Sequence, residues 1–142
     1  MTTKQFISVG CLSFLMAATA YAGSISSSMV PAQVKEAFAK QFPQAQVLEW
    51  DYEDDENAYE VEAKVQRAEI KALYRENGEL IRSKEDVSTH QIPSFVLEEI
   101  QKNWPRAEVL GANKITKPKE TVWDVGLKFR DRHHNVKIKS RD

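Results

Sequence analysis

The stretch DYEDDENAYEVE, residues 51–62, is the most heavily charged part of the chain, with eight acids and no base once Glu49 just upstream is counted. Asp51, Glu53, Asp55 and Glu62 fall at the first, third, fifth and twelfth places of a calcium-loop pattern. Carboxylates at that spacing suit a hard cation. The sixth place, however, is Glu56, where such a loop needs glycine for its sharp turn. The flanks also argue against it. Leu48, Trp50 and Tyr52 alternate as in a strand, and so do Tyr59 to Val65, where helices would be required. The expectation is a wet turn between two strands. A cation site at Asp51, Glu53 and Asp55 is the alternative.

Other chemistry is sparse. The five glycines never cluster, so no phosphate-cradling loop is present. There is no G-x-S-x-G elbow. His90, His133 and His134 are the only histidines. Adjacent histidines on a strand point to opposite faces, so His133 and His134 do not share a metal, and DRHHN is expected to be an exposed turn. Carboxylates abound, but none sits in an apolar sequence setting of the kind that tunes a general acid. These readings point away from an enzyme and imply no cofactor. A hydrolase with an unrecognised site is the remaining catalytic alternative.

The first 22 residues set the compartment. Lys4 is the only charge ahead of FISVGCLSFLMAATA, and the run ends at AYAGS. Ala20 and Ala22 stand in the small-x-small order read by signal peptidase, so cleavage between Ala22 and Gly23 is expected. A membrane anchor is the alternative, but the run is short of the about 20 residues a span needs and has no charged far flank. Lipidation at Cys11 is another. Gly10 precedes it, yet Ser8 replaces the usual leucine and most of the apolar run follows the cysteine. Cleavage implies a periplasmic or secreted protein with no stable membrane insertion and no cysteine, so the core alone holds the fold.

The remaining length fits one domain, expected at 30–142 after a short linker at 23–29. Losing Lys4 leaves 19 bases against 21 acids. That balance argues against nucleic acid as a partner. The charges are segregated, however: from Gly111 to Asp142 there are nine Lys/Arg and four Asp/Glu. The molecule is expected to be electrically lopsided.

The chain is written twice. VPAQVKEAFAKQFPQAQVLEW at 30–50 aligns without a gap to IPSFVLEEIQKNWPRAEVLGA at 92–112, and YEV at 59–61 meets WDV at 123–125. The repeat units are about 30–89 and 90–142. Each opens with a proline suited to a first helical turn and carries one apolar stripe: Val34, Ala37, Phe38, Phe42, then Val96, Leu97, Ile100, Trp104. Pro43 and Pro105 stop the helices. The period then becomes two. Tyr59, Val61, Ala63 and Val65 alternate with Glu60, Glu62, Lys64 and Gln66; Trp123, Val125, Leu127 and Phe129 alternate with Asp124, Lys128 and Arg130. Asn77-Gly78 predicts a type I′ hairpin, and ELIRSKEDV a polar fourth strand near an edge. The fold class is therefore α+β: two tandem helix-plus-antiparallel-strand units form one sheet, with both helices on one face and the other face open. Phe38, Phe42, Tyr59, Trp104, Trp123 and Phe129 are expected to be mostly core.

VP..V..AF...FP.A.VLEW, YEVE, ALYRENGELI and IP..V...I...WP together resemble the PepSY-like family, related to the beta-lactamase-inhibitor-protein fold. The resemblance spans nearly all of residues 30–139. It implies an exported, non-enzymatic domain that grips another protein with its open sheet face, restraint of a peptidase being one form of this. No inhibitory residue transfers position by position. On the open face the candidate contact set is Glu60, Glu62, Lys71, Asp124 and Lys128. The partner is expected to be a periplasmic or extracellular protein, and an extracytoplasmic cation-binding role for turn 51–62 is the alternative.

Overall fold

The computed structural model describes residues 23–140; the expected signal segment, with Cys11 and Ala22, lies outside the described residues. Two ten-residue helices, α1 (Ala32–Gln41) and α2 (Ser94–Asn103), accompany eight strands. The strands are β1 (Gly23–Ser24), β2 (Gln46–Glu53), β3 (Ala58–Val65), β4 (Ala68–Tyr74), β5 (Leu80–Val87), β6 (Glu108–Lys117), β7 (Glu120–Phe129) and β8 (Arg132–Lys139). They form one sheet in chain order, with every neighbouring pair antiparallel.

The helices form where the prolines permit. The Pro31 carbonyl accepts from the amides of Val34 and Lys35, and the Pro93 carbonyl from those of Val96 and Leu97. Phe42 and Trp104 leave the helical conformation at φ −128° and −131°, one residue ahead of the prolines that forbid continuation. Each helix buries its central stripe, Val34 and Phe38 in α1 and Val96 and Ile100 in α2. These side chains meet the inward alternation of the strands. The first core joins them to Trp50, Val61, Ala63, Ile70, Ala72 and Tyr74; the second to Ala112, Trp123, Val125 and Leu127. Tyr74 donates to Gln41 Oε1 at 2.8 Å, so its buried hydroxyl is satisfied from the end of α1.

Four local expectations change. First, β5 is not near an edge: it pairs with β4 on one side and β6 on the other and joins the two units. Its polar sequence reflects an open outer face, not a sheet border. Second, the Asn77-Gly78 hairpin is not type I′. The Gly78 amide donates to the Arg75 carbonyl, Asn77 keeps negative φ, and only Gly78 is left-handed, at φ 85°. This is a type I turn closed by a glycine bulge. A side chain at Gly78 would also meet the Gln33 carbonyl oxygen at 2.7 Å, which seats the hairpin against α1. Third, DRHHN is mostly strand. Arg130 and Asp131, both at positive φ, make the turn, and His133 and His134 lie in β8. His134 packs against Trp104 with centroids 4.7 Å apart and the rings tilted by 43°. Fourth, the segment 23–29 is tied to the domain. Gly23 and Ser24 pair with Tyr52 and Asp51, and a short 3-10 turn follows at Ser27–Met29.

Candidate functional site: the open face of the sheet

The strand ladders place one residue set on the face away from the helices. Asp51 faces Glu60, Glu60 faces Leu73, and Leu73 faces Arg82. In the next row Glu49 faces Glu62, Glu62 faces Lys71, and Lys71 faces Lys84. In the second unit Asp86 faces Asn113, Asn113 faces Asp124, and Asp124 faces Lys137. Sheet order puts the acids of β2 and β3 at one end and the bases Lys137 and Lys139 of β8 at the other. The lopsided charge of the sequence thus becomes a gradient across one surface.

Of the expected contact residues, Glu60, Glu62 and Lys71 are brought together. The Lys71 ammonium pairs with Glu62 and lies 3.9 Å from Glu60. The hydrogen bond from Lys71 to Glu62 raises the lysine pKa. Burial raises the pKa of Glu60 and of Asp51, and Lys71 opposes both shifts. Asp124 stands apart from this group in the second unit, and Lys128 lies 3.8 Å from Asp131.

The acidic turn is tied to the rest of the sheet through Glu56. Glu56 takes two hydrogen bonds from the Arg82 guanidinium, at 2.6 and 2.8 Å. That contact holds the Glu56 carboxyl below its ordinary pKa. Arg82 sits on β5, so the pair reaches across β4. Leu73, between Glu60 and Arg82 in the ladder, is 1% exposed although it faces away from the helices. Asn57 takes a left-handed φ of 49° to close the turn and contacts the Tyr52 hydroxyl. Asp51 and Glu53 lie along β2 and Asp55 in the turn. Among the described residues no three or more His, Cys, Asp or Glu converge as metal ligands.

Sequence reasoning singled out Asp124 but missed its surroundings. Asn113 Oδ1 and Asp124 Oδ1 are both sealed from solvent without a hydrogen-bond partner. They border a notch of about 390 Å³ with Asp86, Asn135, Gly111 and Gly126. The aligned repeats carried the signal: Glu49 and Glu62 of the first unit become Gly111 and Gly126 in the second. The Arg82–Glu56 pair had no comparable sequence mark, because the partners are 26 positions apart.

A helix and an antiparallel meander used twice, with one sheet face uncovered, define a two-unit, open-faced α+β domain. A profile of the beta-lactamase-inhibitor-like, PepSY-like family matches residues 17–83 and again 76–139. The chain belongs to that family. Among solved structures, a DUF2874 family protein from Bacteroides uniformis is similar at 18% identity and TM-score 0.56, over 77% of this chain and 80% of that one. A BLIP-like protein from Bacteroides fragilis is similar at 15% identity and TM-score 0.56, over 79% of this chain and 89% of that one. At such identities the likeness is one of fold. No curated protein matches the chain. Among the described residues no helix is long and apolar enough to cross a membrane.

Proposed function

We propose that this chain is an exported, non-catalytic domain that engages a protein partner through the open face of its sheet, restraint of a peptidase being one form of that engagement. The observation that carries the reading is the asymmetry of the sheet. Both helices cover one face; the other is uncovered and carries a charge gradient from β2 to β8. Such a gradient steers encounter and fixes orientation. Glu60, Glu62, Lys71, Asp124 and Lys128 form the contact set. Export rests on the N-terminal apolar run and its small-residue exit.

The test is capture from periplasmic extract with the protein and with a variant of reversed charge at those five positions. A partner retained by the first and lost by the second is expected. Identical capture profiles would remove the proposal. The reading of turn 51–62 as a cation site has less support, because Glu56 is already engaged by Arg82.

A further inference from the structure

The open face of the second unit has a hole where the first unit has an ion pair. The ladders define the correspondence. Glu49, Glu62 and Lys71 face one another in turn on β2, β3 and β4; Gly111, Gly126 and Asn135 do so on β6, β7 and β8. One row along, Asp51 faces Glu60, and Asn113 faces Asp124. In the first unit Lys71 supplies an ammonium group to Glu60 and Glu62. In the second, asparagine replaces that lysine and glycine replaces both flanking glutamates. The acid at the Glu60 position survives as Asp124, and β5 adds Asp86 alongside.

The result is the notch over Gly111 and Gly126. Two carboxylates and two amide side chains border it, and no basic residue does. Lys137 faces Asp124 across the ladder on the same face, but the two form no ion pair and Lys137 does not border the notch. Among the described residues neither Asp86 nor Asp124 has an ion-pair partner, whereas Glu56, Glu60, Glu62, Glu85 and Glu120 all do. Asp86 and Asp124 thus border the notch without a neutralising donor, and one oxygen each of Asn113 and Asp124 is buried without a partner beside it. Three N–H donors on one compact positive group match that demand, as Lys71 does in the first unit.

We propose that this notch receives the ammonium group of a lysine side chain presented by the partner protein, in the position that Lys71 fills internally in the first unit. The inference rests on the open face being the docking surface and names the chemistry the partner brings to it. Charge reversal of the face and the notch experiment below separate the two.

The probe is the tripeptide acetyl-Gly-Lys-Gly-amide, titrated into the ¹⁵N-labelled protein, with the Nε-acetylated tripeptide as control. Saturable amide shifts at Gly111, Asn113, Asp124 and Gly126 are expected with the charged peptide only. Asn135→Lys, which restores the internal lysine, should weaken that binding about tenfold or more. Gly126→Ala should weaken it as well. Its added methyl would lie 3.8 Å from the Gly111 carbonyl and 3.9 Å from Asn135 Oδ1, so it narrows the notch without a clash. No saturable shift, shifts that survive both substitutions, or the same shifts from calcium chloride at lower concentration would each overturn the proposal. If charge reversal removes the partner while the peptide fails to bind, the lysine notch falls and the docking face stands. If the peptide binds while capture is unchanged, the notch takes an ammonium group but the docking face falls, and the partner's lysine with it.

Discussion

The two units share a backbone plan and fill it differently. Both helices bury a valine at the same place, Val34 and Val96, each fully inaccessible. Both first strands carry a bulge at the same point, between Val47 and Glu49 and between Val109 and Gly111, with an exposed leucine there. Inside, the volumes trade places. The first unit sets large Phe38 and Trp50 against small Ala63, with the two rings edge-on at 5.9 Å. The second sets smaller Ile100 and Ala112 against Leu127. Interiors must be filled to near-crystalline density, but any distribution of side chains that sums to the same volume serves. Outside, the trade has no compensation. The first unit closes its surface with Lys71 and the Glu56–Arg82 pair, whereas the second leaves two oxygens buried and unmet. Core differences between the units therefore cancel, and surface differences are where the units diverge in use.

The core exchange is the sharpest place to break this comparison. Leu127→Ala should cost about 2–5 kcal/mol, since Leu127 is fully buried and its removal leaves a cavity in the second core. Ala63→Leu, the reciprocal change, should cost about 1–3 kcal/mol by overpacking against Phe38 and Trp50. Urea unfolding measures both. A Leu127→Ala cost within error of zero would mean that the two cores are not alternative solutions to one volume.

The second prediction concerns the surface ion pair. Lys71→Asn gives the first unit the residue of the second. It leaves Glu60 and Glu62 without their ammonium group and should cost about 0.5–1 kcal/mol at low salt, the pair being half exposed and screened. The loss should shrink as salt rises. A cost that does not respond to salt would show that Lys71 acts through the packing of its stem and not through its charge.

How far the sequence carried these points depended on whether the physics was local. The helices, their proline boundaries and the alternation of β3, β4 and β7 were legible because each rests on residues a few positions apart. The central place of β5 was not. Its polarity marks a strand with one wet face, and nothing in Leu80–Val87 says that β6 will close its other side. Asn77-Gly78 marks a hairpin, but the dipeptide serves both a type I′ turn and a type I turn closed by a glycine bulge, and the structure has the second, with Gly78 alone at positive φ. At the candidate site, Glu60, Glu62 and Lys71 were legible from cross-strand alternation. The notch required two ladders to be laid side by side, since an absence of side chains at Gly111 and Gly126 matters only against Glu49 and Glu62.

Smaller again is the clamp over β4. Glu56→Gln keeps the shape of the side chain and removes its charge. The loss should be about 0.5 kcal/mol at neutral pH, because both partners are substantially exposed. Arg82 lowers the Glu56 pKa, so the clamp contributes above the ordinary glutamate value and fades as pH falls through the lowered one. The wild type and variant should therefore converge in acid. Hydrogen exchange gives a second measure: amides of the turn Asp54–Asn57 should exchange faster in the variant while those of β7 stay unchanged. Equal protection of the turn in both proteins would show that the clamp does not order it.

Asp51→Asn is the smallest change and runs with the opposite sign. It installs the residue that the second unit already has at that place, Asn113. Burial first, then Glu49, Glu62 and Glu53, raise the Asp51 pKa, with Lys71 opposing. A carboxyl whose folded pKa is raised holds its proton more tightly when folded. Its ionisation therefore opposes folding at neutral pH, and that cost is relieved as pH falls through the raised value toward the ordinary 3.8. The amide has no such charge. The variant should be more stable than wild type at pH 7 by roughly a few tenths of a kcal/mol, and the advantage should vanish near pH 4. Urea midpoints at pH 7, 5.5 and 4 resolve the trend. A variant that is less stable at pH 7 would mean that the Asp51 charge is needed by Lys71, and that the acids of the first unit form one network in which no member is surplus.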